Sequence, residues 1–283
     1  MKTLKTLLAA AALVMMTGAL FATDQAVNAE DAMEVSYAVT APSFSKYTTA
    51  PKDQEEAEKL DISYGVSTSV FSQYASRGAV TSNEPVFQFE GWVTIGPLTL
   101  DIWHNMDLTN DVFSAGEITE ADYTIEYAFS LPKVDCALGY VYYTFPRWHV
   151  DDTQEVYGTA TVDCFLSPAV ELYWDLDEIG GIYATGGISH SLELPATVGD
   201  EKLALDLYAT VGYGDSSYII GAFALTGSAW VDLLLTAEVP IDLGNGLSLT
   251  PSLSFQQVLD SDVRAAGNDS DTIFAGLTLT KEF

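Results

Sequence analysis

Carboxylates are the side chains of this sequence that could do chemistry in number. The chain has 40 Asp and Glu residues against 11 Lys and Arg, and its formal net charge is −29. Many acidic residues occupy every second position of segments whose alternate positions are apolar, and in a strand such residues share one face. Collected by this parity, the acidic face contains Asp101, Asp122, Glu126, Glu155, Asp163, Glu171, Asp175, Asp206, Asp232 and Glu238. Carboxylates around a water-filled space would attract cations.

Two interpretations of this acidic face stay open. The carboxylates could line an open pore and select cations. They could instead belong to a polar interior that is packed with side chains and closed to solutes. Twelve strands, the number that the pattern below indicates, form a tube between filled eight-stranded barrels and open sixteen-stranded porins. Strand number therefore does not decide between the two interpretations.

The cysteines offer a second kind of chemistry. Cys136 and Cys164 lie equally far from residue 150, inside the segment PRWHVDDT. If residues 134–145 and 154–165 form a hairpin about that centre, the two cysteines lie opposite each other and a cross-strand disulfide could form. Two free thiols facing lipid are the alternative.

Histidine and serine could serve nucleophilic catalysis, but their spacing argues against it. His190 lies between Ser189 and Ser191, and adjacent residues of a strand point to opposite faces. Neither serine can easily pair with this histidine as nucleophile and base. We therefore predict no catalytic residues and no enzyme.

Metal and cofactor signatures are weak. His149 and the aspartates at 151 and 152 could hold a metal ion, although such a short acidic loop is more often simply solvated. The sequence contains no phosphate-binding glycine loop, zinc pattern or nucleotide fingerprint. We predict no metal site and no cofactor.

The elements that must position these residues are long alternating strands. From residue 62 onward, apolar and polar residues alternate with period two. Strands of soluble proteins average about 5–6 residues, whereas a strand that crosses a membrane needs about 9–11. Residues 61–283 are therefore predicted to form an all-β, transmembrane, antiparallel up-and-down barrel. Its twelve candidate strands are 62–70, 84–95, 98–107, 120–130, 134–145, 154–165, 169–177, 181–193, 203–213, 228–240, 246–257 and 271–283.

The lengths of the loops and the positions of the aromatic residues favour a membrane barrel over a soluble β-sandwich. Short and long connections mostly alternate, as in outer-membrane barrels, although 178–180 is short and 194–202 is long for its place. Segment 216–227 is predicted to be a folded loop or a pair of short strands. Aromatic residues near strand ends are typical of interfacial girdles: Tyr74, Trp103, Tyr123, Tyr142, Tyr143, Trp148 and Trp230.

Both ends of the chain indicate export. Residues 1–29 have two lysines, an apolar run and small residues before Ala29, which predicts a cleaved signal peptide. Residues 30–60 lack sustained alternation and are predicted to be a periplasmic tail or linker. The chain ends on Phe283 directly after an alternating segment. A closed barrel pairs its last strand with its first and leaves no free edge.

Several stretches resemble a known family. They are GYVYYTFP (139–146), DTQEVYG (152–158), DEIGGIYATGGISHSLEL (177–194) and LSLTPSLSF (247–255). They resemble the TorF-like porins, uncharacterised outer-membrane barrel proteins of Gram-negative bacteria. The resemblance spans 62–283 and implies a barrel of about twelve strands, with no known ligand and no catalytic residues. Phe283 also resembles the terminal aromatic assembly signal of outer-membrane proteins.

The sequence as a whole predicts a porin-like channel of the bacterial outer membrane for passive diffusion of small, cation-leaning solutes. The alternatives are a non-conducting structural or surface-binding barrel and, less favoured, a lipid-modifying enzyme. Expected partners are outer-membrane lipid and lipopolysaccharide, the barrel-assembly machinery and small solutes. The negative charge argues against nucleic acid.

Overall fold

The computed structural model describes residues 61–110, 113–199, 201–266 and 271–283. The predicted signal peptide and tail, 1–60, lie outside them. Within the described part of the chain, no helix has the length and apolar character needed to span a membrane. The elements in chain order are β1 (Ile62–Phe71), β2 (Tyr74–Ser76), β3 (Ala79–Ser82), β4 (Val86–Ile95), β5 (Leu98–Asp107), β6 (Ile118–Leu131), β7 (Val134–Thr144), β8 (Thr153–Val162), β9 (Ala169–Asp175), β10 (Ile182–Val198), β11 (Glu201–Gly214), α1 (Ser216–Phe223), β12 (Ala229–Glu238), β13 (Ile241–Gly244), β14 (Leu247–Val258), α2 (Ser261–Ala265) and β15 (Asp271–Glu282).

Twelve of these strands form one closed antiparallel barrel. Strands β4 to β12 pair in chain order, β1 lies between β4 and β15, and β14 pairs with both β15 and β12. The seam between the first and last strands runs from Gly65 opposite Glu282 to Phe71 opposite Gly276. The predicted twelve-stranded barrel is confirmed. Strands β2 and β3 form a separate two-stranded sheet, and β13 adds only to one end of β14.

The alternation of the sequence places apolar side chains on the outside of this wall. Leu172 is 57% exposed, Leu138 is 59% exposed and Ile125 is 50% exposed. A contiguous exposed apolar surface marks contact with a partner or a membrane. Outward residues that share this exposure come from most strands and include Ile62, Val66, Leu100, Ile102, Val170, Ile188, Leu235, Leu253, Ile273 and Leu279.

The two ends of the barrel differ. At the short-turn end, defined by the turns at Gly96 and Lys133, the backbone reverses through positive φ angles of 57° and 65°. Ile62, where β1 begins, and Phe283 lie at this end. The long-loop end carries α1, α2 and the β2–β3 hairpin.

The cysteines do not form the disulfide considered above. Both are free, Cys136 in the wall and Cys164 in the exposed turn after β8. Tyr143 pairs with Thr153 across the β7–β8 hairpin, so the hairpin is centred on residue 148 and Cys136 lies opposite Ala160. The shift of two residues in the hairpin centre removes the predicted contact.

Of the two alternatives for segment 216–227, the pair of short strands is wrong, since residues 216–223 form the helix α1 within a folded loop. The Asp215 side chain accepts the Tyr218 amide hydrogen bond at its start, and Ala224 ends the helix at a φ of 54°. The predicted aromatic girdle also needs correction in part. Three of the predicted girdle residues, Tyr123, Tyr142 and Trp230, are exposed on the outside. By contrast, Tyr74 and Tyr143 are buried, and Trp103 packs on Tyr74 with ring centroids 5.8 Å apart.

Replacing Leu172 by Arg should test whether the outer surface faces hydrocarbon. Leu172 lies opposite Gly158, midway along β8. An outward Arg at the bilayer midplane should lower the free energy of unfolding by about 2–4 kcal/mol, and near the interface by only about 0–1 kcal/mol. Urea unfolding of the barrel in lipid vesicles gives the comparison, with Ile62→Arg at the end of β1 as control. Equal effects at the two positions would contradict a membrane-spanning wall.

Candidate functional site

The loop between β1 and β4 folds into the barrel as a hairpin, residues 74–82, which we call the plug hairpin. Tyr74, Ala75, Ser76 and Ala79 on it are all buried. Ser76 pairs with Ala79, so the turn has two residues, and both have positive φ, 46° at Arg77 and 80° at Gly78. This is the pattern of a type I′ turn. A Cβ on Gly78 would lie 2.6 Å from Val231 Cγ1, so glycine is also required by the close approach to the wall.

The base of the plug hairpin is fastened to the last strand. The Ser72 amide donates to the Ala275 carbonyl at 2.9 Å, and the Ala275 amide donates to Ser72 Oγ at 3.0 Å. Beside them, Thr272 Oγ1 donates to Gln73 Oε1 at 2.5 Å. The hairpin therefore enters the barrel from the seam between β1 and β15.

Arg77 at the tip of the plug hairpin makes a buried ion pair with Glu155 of β8. Its Nη1 and Nη2 atoms donate to the two Glu155 carboxylate oxygens at 2.8 and 3.1 Å. Both side chains are 1% exposed. The Tyr143 hydroxyl donates to the same carboxylate at 2.8 Å. A two-pronged pair of this kind fixes the orientation of the guanidinium as well as its position.

Two tyrosine rings enclose the Arg77 guanidinium. Its Cζ atom lies 4.3 Å from the ring centroid of Tyr173 and 4.7 Å from that of Tyr183. Desolvated contacts of this type are worth about 2 kcal/mol each. The hydroxyls of these tyrosines face other carboxylates, since Tyr173 donates to Glu171 at 3.2 Å and Tyr183 to Asp232 at 2.7 Å. The plug hairpin is thus held by charge, aromatic contact and a shared hydrogen-bond network.

The predicted acidic face divides into three groups. Seven of its members are buried in the barrel: Asp101, Asp122, Glu126, Glu155, Glu171, Asp175 and Asp232. Asp206 and Glu238 are partly exposed and lie directly opposite each other on β11 and β12. Asp163 differs from the expectation. Because β8 ends at Val162, this residue lies in an exposed turn outside the strands.

Asp175 has a structural role that the sequence did not reveal. Its Oδ1 accepts hydrogen bonds from the backbone amides of Asp177, Ile179 and Gly180 at 2.9–3.0 Å. Thr153 Oγ1 donates to its Oδ2 at 2.6 Å. This carboxylate organises the loop between β9 and β10, and it is not available to a solute.

Sequence parity also missed members of the interior. Glu120 and Asp107 are buried in the barrel. Arg77 is buried there too, although the sequence placed it in a loop between two predicted strands. In the described part of the chain, buried carboxylates thus number nine against one buried Lys or Arg: Asp101, Asp107, Glu120, Asp122, Glu126, Glu155, Glu171, Asp175 and Asp232 against Arg77. The interior carries a large excess of acidic groups.

A small apolar cluster, which we call the mouth core, covers part of the long-loop end. Tyr218, Ile219, Ala222 and Phe223 of α1 pack there on wall and loop residues, among them Ile179, Tyr183, Val231, Val258 and Val263. A Cβ on Gly181 would lie 2.0 Å from the Tyr218 amide nitrogen, so α1 approaches the backbone of the adjacent loop closely. Helix α1 and the plug hairpin together fill the barrel toward this end.

The histidines examined for catalysis have other contacts. His190 Nδ1 is hydrogen-bonded to the Phe165 carbonyl at 2.9 Å, and the two rings are 4.4 Å apart. In the loop with His149, Asp152 accepts the Tyr142 hydroxyl at 2.9 Å. Over the described ranges, no group of three or more His, Cys, Asp and Glu residues is arranged to hold a metal ion.

Comparisons with known proteins give only distant structural similarity. No protein-family model matches the sequence, so the resemblance to TorF-like porins stays a prediction. No curated protein matches it either. Among solved structures, the NanC porin is 8% identical with a TM-score of 0.48 over 77% of this chain and 98% of the porin. The COG4313 outer membrane channel from Pseudomonas putida F1 is 11% identical, with a TM-score of 0.46 over 81% of this chain and 98% of the channel.

An anion-selective porin from Comamonas acidovorans is also similar, at 11% identity and a TM-score of 0.35 over 80% of this chain and 100% of that porin. All three TM-scores lie below 0.5, and similarity this distant does not establish a shared solute or mechanism. Function must be inferred from the chain's own interior.

Replacing Gly78 by Ala should loosen the plug hairpin. Left-handed backbone costs a residue with a Cβ about 1–2 kcal/mol, and here the Cβ would also meet Val231. Gly116→Ala is the matched control, because Gly116 has a φ of 88° and no atom of the described residues within 4 Å of an added Cβ. We expect Gly78→Ala to lower the temperature of barrel unfolding, read by heat-dependent gel mobility, more than the control does. Equal losses would contradict the close seating of the turn.

Proposed function

We propose that this chain is an outer-membrane channel for small, cation-leaning solutes, constricted on the long-loop side by the plug hairpin. Solutes would diffuse passively through the barrel, and the carboxylates would favour cations over anions. The membrane would be the bacterial outer membrane, with lipid and lipopolysaccharide around the apolar wall.

The observation that carries this proposal is the difference between the two faces of the wall. Apolar side chains cover the outside, whereas the buried charged residues of the described part of the chain are nine carboxylates and a single base. A low-dielectric wall strengthens the field of charges that it encloses. An interior of this composition would repel anions and attract cations at any width that admits water.

The exposed end of the chain supports a contact with the barrel-assembly machinery. Phe283 is 63% exposed. Its ring stacks on Tyr64 with centroids 5.2 Å apart, and its amide donates to the Tyr64 carbonyl at 3.0 Å. We propose that Phe283 serves as the assembly signal.

A second candidate function is a non-conducting barrel with a structural or surface-binding role. It is favoured by the complete burial of Tyr143, Tyr183, Glu155 and Gln256, each of which is at most 1% exposed. An open aqueous pore would wet the side chains that line it. The two candidate functions therefore differ in what they require of the plug hairpin. A channel requires that the hairpin leave a path for solutes beside it or move out of the way.

Charge selectivity should depend on Asp206 and Glu238. Like charges directly opposite each other repel, so this pair should attract a passing cation. In planar bilayers under a KCl gradient, we expect a reversal potential of cation-selective sign, shifted toward zero by Asp206→Asn with Glu238→Gln. Asp163→Asn, which removes a charge from the exposed turn, should leave it unchanged. Anion preference of the unaltered protein would refute the proposal.

Removing Arg77 should widen the passage. Arg77→Ala deletes the side chain that fills the space between Tyr173 and Tyr183, so we expect a larger single-channel conductance and stronger cation preference. Arg147→Ala is the control, because Arg147 is a half-exposed loop residue paired with Glu117 at 3.2 Å.

Breaking a buried pair can cost about 3–5 kcal/mol. The double variant Arg77→Met, Glu155→Gln therefore serves as a second test, because it removes both charges of this ion pair together and leaves neither of them unpaired. It should fold and conduct at least as well as the unaltered protein. If none of the three proteins conducts, that is, the unaltered protein, Arg77→Ala and the double variant, the result would favour the non-conducting barrel.

A further inference from the structure

Asp122 of β6, which lies two residues from Glu120, differs from the other buried carboxylates. Each of these two residues is 2% exposed. Among the described residues, no hydrogen-bond donor reaches either oxygen of Asp122, whereas Glu120 and Glu171 each have a single oxygen, Oε1, without one. Glu155, Glu171, Asp175 and Asp232 instead receive hydroxyl, guanidinium or amide donors. Glu120 and Asp122 are two residues apart, so their side chains lie on the same face of the strand.

Carboxylates buried without donors are costly. An ionised carboxylate removed from water needs a counter-charge or hydrogen bonds to be stable. The nearest candidate base, Arg77, directs both of its terminal nitrogens to Glu155. Among the described residues, no other Lys or Arg is buried. Neither carboxylate of the pair on β6 is therefore ion-paired with a described Lys or Arg.

Aromatic rings surround this pair. Asp122 lies directly opposite Trp103 on β5 and Tyr143 on β7. Directly opposite residues have Cβ atoms about 4.5–5.5 Å apart. Tyr74 of the plug hairpin packs on Trp103 with ring centroids 5.8 Å apart. Three aromatic side chains from three different elements thus flank the carboxylates.

The Tyr74 hydroxyl is a second buried polar group at this site. It is buried, at 4% exposure of the residue, and it is directed at Glu120 without completing a hydrogen bond of normal geometry to any described residue. Burial, followed by the charges of Glu120 and Asp122, raises the pKa of Tyr74 well above its usual value. The hydroxyl consequently keeps its proton and can act as a donor toward Glu120.

The chemistry of these groups favours an organic ammonium over a metal ion. Hard divalent cations need six or more oxygen ligands, and no cluster of three potential metal ligands occurs in the described part of the chain. Aromatic faces combined with a carboxylate are the groups that recognise substituted ammonium ions, because the ring quadrupole attracts the cation. An alkylated ammonium would also bury its methyl groups against the rings.

We propose that Glu120, Asp122, Trp103 and Tyr74 form a binding site for small organic ammonium ions. The site deepens the proposed function by naming a class of solute. Its transport role rests on that function, whereas binding can be measured without conduction. Because Tyr74 belongs to the plug hairpin, a bound ammonium would contact both the wall and the plug.

Calorimetric titration of the detergent-purified mature protein with choline chloride tests the site. We expect saturable binding, weakened about 10- to 100-fold by Asp122→Asn through loss of a charged partner. Trp103→Leu should weaken it about 2- to 30-fold, and Trp103→Phe should recover part of the loss. The outward Trp230→Leu and the turn variant Asp163→Asn are the controls, and neither should change the affinity.

A matched ligand separates charge from shape. The uncharged isostere 3,3-dimethyl-1-butanol should not bind, and KCl should compete only weakly with choline. Heat-dependent gel mobility verifies that each variant is folded, and Glu120→Gln replaces Asp122→Asn if that variant is not. Absence of choline binding in a protein that conducts K⁺ would overturn this site and leave the proposed function standing. Binding unchanged by Asp122→Asn and Glu120→Gln would also overturn it.

Discussion

Closure of the backbone is the constraint on which the rest of this structure depends. An open sheet leaves the amides and carbonyls of its edge strands unpaired, and only a closed ring removes those edges. Pairing of β1 with β15 and of β12 with β14 closes this ring. Once the ring is closed, each strand has one face outside and one inside, and the period-two alternation of the sequence becomes a separation between an apolar belt and an acidic interior.

A charged side chain that is buried in the interior of the barrel must be stabilised by protein groups in place of bulk water. Glu155 is stabilised by Arg77, and three further tyrosines bind Glu126, Glu171 and Asp232 through their hydroxyls. Tyr173 and Tyr183 each have two roles. Their ring faces contact the Arg77 guanidinium, and their hydroxyls donate hydrogen bonds to carboxylates. Among the described residues, Asp122 receives no hydrogen bond from this network. The groups that seat the plug hairpin therefore do not extend to this carboxylate.

Sequence reasoning predicted the wall because alternation is a local property, and a strand of ten residues repeats its signal five times. It placed Cys136 against the wrong residue because the centre of a hairpin depends on the geometry of the loop, which alternation does not encode. The plug hairpin was missed because its residues are small and polar, like those of a surface loop. One signal was available: Arg77 is the only Lys or Arg between residues 62 and 132. Helix α1 was missed because its eight residues are mostly apolar, and in so short a segment the periodicity of the apolar residues does not distinguish a helix from a strand.

The attachment of the plug hairpin to β15 has a consequence for biogenesis. Ser72 and Gln73 follow the first strand of the barrel, yet their partners Ala275 and Thr272 lie on its last strand, 203 and 199 residues later in the sequence. The loop cannot reach its native anchorage until the C-terminal strand has arrived beside β1. Attachment of the hairpin at its base is thereby deferred until β15 pairs with β1, whereas the contacts of Arg77 at its tip need only β8, β9 and β10.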